Sequence, residues 1–146
     1  MFLGQYRHNI DEKGRLTIPA RFRELLADGA YITKGFDQNL MVLRPSTFEL
    51  ITQRVNQNSM TDQITRELAR MLFSTAERAE SDKNGRILVP QFLRQAAQLD
   101  GEAVLAGVGN YFEIWSPAAW EQQVNKMQDA EANSGRFAAL DLSSSD

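Results

Sequence analysis

The chain has 146 residues, 42% hydrophobic and 24% charged, with 16 Lys/Arg against 19 Asp/Glu and a net charge of −3. That length suits one domain or two small ones, and the absence of cysteine excludes disulfides and thiolate metal sites. No apolar run reaches membrane-spanning length and the opening MFLGQYRHNIDEKGR lacks a signal peptide's apolar core, so the sequence reads as cytoplasmic with no membrane partner.

Asp11-Glu12-Lys13-Gly14-Arg15 has the form of a three-residue hairpin loop, with Gly14 in the left-handed position after a type I turn. Asp11 suits the first turn position because its carboxylate can accept local backbone N–H groups. Arg15-Leu16-Thr17-Ile18 alternates polar and apolar residues, as a half-buried strand does. Pro19 ends it, and Phe22, Leu25 and Leu26 are spaced for a short helix. Tyr31–Thr33 and Leu40–Leu43 predict two further strands around a turn at 35–39. Ser46 and Glu49 have capping-box spacing for the next helix. A linker helix is expected over about 61–79, with Ile64, Leu68, Met71, Leu72 and Ala76 on one stripe.

The chain then repeats itself. DEKGRLTIPARFR at 11–23 returns as DKNGRILVPQFLR at 82–94. Asp11, Gly14, Arg15, Pro19 and Arg23 recur as Asp82, Gly85, Arg86, Pro90 and Arg94, where chance composition would give about one identity. Gly35, Pro45 and Phe48 return as Gly107, Pro117 and Trp120. The second copy therefore predicts strands at 86–89, 103–106 and 111–115, and a helix capped by Ser116 with Pro117 at its first position. Trp120, Val124 and Met127 share one face of that helix. The sequence divides into a first module at 5–47, linker helices at 48–75, a second module at 76–119, and a C-terminal helix with an acidic tail at 120–146. Residues 129–146 read as a weakly ordered tail in which Phe137, Leu140 and Leu142 are candidates for docking. All the excess charge lies late in the chain: 1–120 hold 14 basic and 14 acidic residues, and 121–146 hold two and five.

The Asp11/Arg15 pair has two readings. One is a turn-capping aspartate with an exposed cross-strand ion pair, which adds little stability. The other is a carboxylate that orients a guanidinium to meet guanine O6 and N7 in the major groove, which admits a two-stranded ribbon. The return of the pair as Asp82/Arg86 favours the second. Lys13, Lys83 and Asn84 lie at the loop tips, within reach of phosphates or bases. Arg21, Arg23 and Arg94 divide evenly between solvated helix face and phosphate contact. Enzymatic readings are poor: His8 is the single histidine, no serine lies in a nucleophile elbow, and no phosphate-binding loop is present. No cofactor, metal or small-molecule ligand is expected.

The duplicated D-x-x-G-R-(apolar)-x-(apolar)-P signature resembles the AbrB/SpoVT class of swapped-hairpin DNA-binding modules. Two copies around a helix, after an opening Met1-Phe2-Leu3-Gly4, resemble the MraZ family over about residues 1–128. The resemblance implies an α+β fold: a duplicated swapped-hairpin AbrB-like β-barrel with pseudo-two-fold symmetry and flanking helices, assembled into a homo-oligomeric ring. It also implies a nucleoid-associated transcriptional regulator, a repressor, that binds double-stranded DNA at short G-rich direct repeats before the bacterial division and cell-wall gene cluster. Carried onto this chain, the DNA-contact candidates are Asp11, Arg15, Asp82 and Arg86, with Lys13, Gly14, Lys83, Asn84 and Gly85 as secondary candidates. The competing class is an oligomeric protein-interaction or antitoxin-like module without specific DNA binding.

Overall fold

Two turns of the same build fix the start of each half. In the first, the Asp11 carbonyl accepts from the Gly14 N–H at 2.9 Å and the Arg15 carbonyl accepts from the Asp11 N–H at 3.0 Å. The Asp82 turn repeats both bonds at 3.0 and 2.8 Å. Gly14 and Gly85 sit at φ +86° and +74°, where a side chain is disfavoured. The computed structural model describes residues 1–143.

The strands are β1 (Gln5–Asn9), β2 (Arg15–Thr17), β3 (Ala30–Lys34), β4 (Leu40–Leu43), β5 (Glu77–Ala79), β6 (Arg86–Leu88), β7 (Glu102–Gly107) and β8 (Tyr111–Trp115). The helices are α1 (Ala20–Leu25), α2 (Pro45–Asn56), α3 (Gln63–Ser74), α4 (Gln91–Ala96), α5 (Pro117–Met127) and α6 (Ala130–Phe137). Six strands form one antiparallel sheet in the order β1-β7-β8-β4-β3-β5, and β2 pairs with β6 in a separate two-stranded ribbon. The order reads the same from either end when the repeats are exchanged. Each repeat's first strand lies on the other's sheet: β1 pairs with β7, and β5 with β3. β2 and β6, adjacent to those strands in sequence, pair with each other instead.

This crossing makes one core from two repeats. The ribbon's inward residues Leu16 and Ile87 lie opposite each other, fully buried. They pack with Ile18, Val89, Phe22 and Leu93 against Ile32, Leu40, Val42, Leu105, Phe112 and Ile114 of the sheet. Burying a side chain of that size contributes about 1.5–3 kcal/mol, and each repeat supplies only part of each wall. The sheet's other face carries Met41 and Leu43 under Val55 of α2 and Leu72 of α3, and Val104, Ala106 and Trp115 under Trp120 of α5. That is why β4 is buried at every position rather than alternating.

Three helical expectations are corrected. The Ser46/Glu49 capping box does not form: Pro45 opens α2, Arg44 is the N-cap, and no side chain caps it. Starting at the proline puts Ser46 inside the first turn, whereas Ser116, the equivalent of Arg44, does cap α5 by accepting from the Ala119 N–H at 3.2 Å. The linker helix ends at Ser74 rather than near 79. Thr75 donates back to the Met71 carbonyl at 2.6 Å and accepts from the Lys34 N–H at 3.2 Å, while Thr33 donates to the Leu72 carbonyl at 2.6 Å. These bonds tie the helix end to β3 and direct 77–79 into the sheet, so Ala76 leaves the stripe; Ile64, at the other end of α3, is exposed. The tail is not wholly irregular: Asp129 accepts from the Ala132 N–H at 3.1 Å and opens α6. Phe137, Leu140 and Leu142 remain exposed. The last three residues of the expected tail, 144–146, lie outside the described residues.

Candidate nucleic-acid interface

The carboxylate of Asp11 is saturated by its own hairpin. Oδ1 accepts from the backbone N–H of Lys13 at 3.0 Å and of Arg15 at 2.8 Å, and Oδ2 accepts from Arg15 Nε at 2.6 Å. Asp82 does the same with the backbone of Asn84 and Arg86, both at 2.9 Å, and with Arg86 Nε at 3.1 Å. Both carboxyls are held below the ordinary aspartate value. The largest cause is the backbone N–H of the paired arginine; the guanidinium and the loop N–H add to it, against partial burial. Both therefore stay anionic at neutral pH and keep their arginines engaged.

The choice of Nε decides what the arginine can still do. An arginine held at Nε keeps its two terminal nitrogens for another ligand, and that pair matches the O6/N7 edge of guanine or a phosphate. Arg15 makes no other side-chain hydrogen bond among the described residues. Arg86 Nη1 also approaches Asp11 Oδ2 at 3.7 Å, so the two hairpins touch through one carboxylate.

The ribbon register places Arg15 opposite Leu88 and Thr17 opposite Arg86. Because Leu16 and Ile87 point into the core, Arg15, Thr17, Arg86 and Leu88 form the outward face. The two arginines sit diagonally, with Cα atoms about 8 Å apart on ordinary strand spacings. The structure thus brings together two candidate pairs that lie 71 residues apart in sequence.

Lys13, Lys83 and Asn84 are exposed at the loop tips. Gly14 and Gly85 are buried and shape the turns rather than line the surface. Leu88 reads in the sequence as one more apolar strand residue. The repeat places it at the outward position of Thr17, and the register sets it, 56% exposed, beside Arg15. Among the described residues, no group of three or more His, Asp or Glu is placed to hold a metal ion. No described helix is long and apolar enough to cross a membrane.

An antiparallel sheet shared by two repeats, with two carboxylate-braced arginines on one ribbon, defines a duplicated α+β module consistent with the AbrB-like fold. The family described as "MraZ protein, putative antitoxin-like" matches residues 1–71 and again residues 72–141. The chain is 47% identical over 138 residues, 94% of each chain, to the transcriptional regulator MraZ of Roseiflexus castenholzii. It is 42% identical to the proteins of that name from Herpetosiphon aurantiacus, over 88% of this chain and 90% of the other, and Carboxydothermus hydrogenoformans, over 89% and 91%. This chain belongs to the MraZ family.

Proposed function

We propose that the protein is a DNA-binding transcriptional regulator that reads guanine-rich direct repeats with Arg15 and Arg86, each aimed by its aspartate. The observation that carries this reading is the engagement of both arginines at Nε by their own aspartates on one outward ribbon face, which leaves both terminal nitrogens of Arg15 and Nη2 of Arg86 for a ligand, with Arg86 Nη1 3.7 Å from Asp11 Oδ2. A side-chain fork on a ribbon suits the major groove, where guanine presents two acceptors side by side. The relatives' name, transcriptional regulator, fits a non-enzymatic role. Lys13, Lys83 and Asn84 are assigned to the phosphates or neighbouring bases. The exchange of first strands between repeats supports the swapped-hairpin barrel that the resemblance implies.

A nearly neutral subunit gains little affinity from charge alone. A ring of subunits repeats the ribbon, and linked weak contacts to direct repeats raise effective concentration. Exposed Leu50, Met60 and Ile64 around α2 and α3 offer apolar surface for such assembly. The regulated sites are taken to be those upstream of the cell-wall and division genes, with repression as the outcome.

The test is a mobility shift with the DNA upstream of the protein's own coding sequence, at several salt concentrations and against random DNA. Specific binding whose affinity falls steeply with salt is the expected result. Equal affinity for both DNAs, or salt-insensitive capture of a protein with no DNA shift, would replace this reading with that of an oligomeric protein-interaction or antitoxin-like module.

A further inference from the structure

Two arginines outside the ribbon occupy reciprocal places. Arg94, on α4 of the second repeat, lies beneath the turn of the first: a Cβ placed on Gly14 would fall 2.9 Å from its Cζ and its Nε. Arg23, on α1 of the first repeat, lies beneath the turn of the second, where a Cβ on Gly85 would collide with its guanidinium. Each turn is also tied to the opposite repeat by backbone. The Val89 N–H donates to the Gly14 carbonyl at 2.7 Å, and the Ile18 N–H donates to the Gly85 carbonyl at 2.9 Å.

Neither arginine is used as a charge partner. Among the described residues, neither guanidinium lies within ion-pair distance of a carboxylate. Arg94 Nε is buried and donates to nothing among them. Each guanidinium therefore lies against the glycine of the other repeat's turn with no carboxylate partner among the described residues. A side chain is excluded at both turns: at Gly14 a Cβ would meet the Val89 carbonyl oxygen at 2.7 Å as well as the Arg94 guanidinium, at Gly85 it would meet Arg23, and both residues sit at positive φ.

We infer that Arg94 and Arg23 are crossed positioning residues: Arg94 sets the aim of Arg15, and Arg23 sets the aim of Arg86. This rests on the proposed DNA-reading role of Arg15 and Arg86. Gly14 adjoins Arg15, and the Asp11 bonds that brace Arg15 run to the backbone of that same turn. Lateral movement of the turn moves the donor fork with it. Bidentate recognition tolerates about 0.5 Å and 10–20° of error, so loss of the seat lowers specific recognition and spares phosphate binding. A lysine keeps the charge and loses the plane. The recurrence of Arg23 as Arg94 within the repeat follows, because each reading head needs a seat supplied by the other copy.

The experiment uses the full-length assembled protein with Arg94→Gln and Arg23→Gln, each alone and combined with Arg15→Ala or Arg86→Ala. Hydrogen exchange is followed without DNA, and binding is measured to the protein's own upstream DNA and to random DNA. Arg94→Gln is expected to speed exchange in the turn at 11–15 and leave the turn at 82–86 at the parent rate, with Arg23→Gln giving the mirror pattern. Specific affinity falls about tenfold for either variant, with random-DNA affinity and salt dependence unchanged. Arg94→Gln adds nothing to Arg15→Ala but has its full effect on Arg86→Ala.

Faster exchange in the turn of the variant's own repeat, or in neither turn, overturns the proposal. So does full additivity with Arg15→Ala, or a weaker grip on random DNA with a shallower salt slope, which marks a phosphate contact. If Arg94→Gln does not assemble, Arg94→Lys must show the same crossed exchange pattern, and its failure to do so is equally decisive. A parent protein with no DNA preference refutes the proposed function, while the exchange pattern still tests the seats.

Discussion

Asp11 holds Arg15 through Nε at 2.6 Å, not through the terminal nitrogens. Asp82 holds Arg86 in the same way at 3.1 Å. A carboxylate that took both Nη atoms would have consumed the fork. This one fixes the root of the guanidinium and leaves its tip for a ligand.

Arg15→Ala should weaken specific DNA binding by about 1–3 kcal/mol for each guanine that is no longer read. Fold and assembly should survive, because the side chain sits on the outward ribbon face while Leu16 and Ile87 fill the core. Arg15→Lys should bind nearly as poorly, since an ammonium cannot place two parallel donors. Circular dichroism and sedimentation establish that the variants are intact. Unchanged affinity in an intact Arg15→Ala protein would remove the residue from the interface.

The brace should be insensitive to pH across the neutral range and fail in acid. Asp11 is held below its ordinary 3.8, chiefly by the Arg15 backbone N–H. A carboxylate lowered on folding contributes stability that is fully present above its unfolded value and lost as pH falls through the folded one. The difference in thermal stability between the parent and Asp11→Asn should therefore stay constant from about pH 5 to 8. It should shrink once the pH drops below 3.8 and on through the lowered folded value. The substituted side chain would also be able to present an amide N–H where Arg15 Nε needs an acceptor, and it carries no charge to hold the guanidinium. Asp11→Asn should therefore lose specific DNA binding at pH 7. A stability difference that shrinks above pH 5 would place the titrating group elsewhere.

Phe22→Ala should cost about 3–5 kcal/mol of folding stability. Phe22 is 1% exposed and lies between three other rings, with centroids 5.2 Å from Phe2, 5.3 Å from Tyr6 and 4.8 Å from Phe112. Those partners come from the chain start, β1 and β8, so the cavity would open where the two repeats meet. Denaturant unfolding measures the loss; a change below about 1 kcal/mol would mean that the cluster collapses around the gap.

The hairpins are readable in the sequence because a turn is local chemistry: Asp, Gly and Arg at fixed spacing specify both the bend and the brace. The strands Leu40–Leu43 and Tyr111–Trp115 are equally legible from their flanking turns. What stays hidden is non-local. Nothing within 11–23 says that β2 will pair with β6, or that Leu88 will lie opposite Arg15. Residues 77–79 read as part of the linker helix because their strand character comes from β3, not from their own pattern. Arg23 and Arg94 read as helix-face residues, since their partners are glycines on the far side of the internal two-fold.

An assembly larger than the 16.5 kDa subunit is expected in solution. Met60 and Ile64 are 80% and 74% exposed in the linker region, apolar surface that contact with a second subunit would take out of water. Sedimentation velocity at micromolar concentration should show one discrete large species, and Ile64→Glu should reduce it. A lone 16.5 kDa boundary would end the ring proposal.

Removal of residues 129–146 should raise random-DNA binding at low salt and leave specific binding intact. The deletion takes away Asp129, Glu131, Asp141 and Asp146 against Arg136, so each subunit becomes more positive by three. In a ring that change is multiplied on every subunit, and like charges near the DNA path repel phosphates until salt screens them. The gain should therefore shrink as salt rises. The described part of the tail bears little of the fold: α6 has no buried residue and touches mainly α5. Its exposed Phe137, Leu140 and Leu142 point to the opposing outcome, in which the tail docks on a neighbouring subunit and the truncation disperses the assembly. Sedimentation and binding on the same truncated protein separate the two. An intact assembly that binds random DNA more tightly at low salt supports electrostatic restraint. A dispersed one, or weaker binding, assigns the tail to assembly instead.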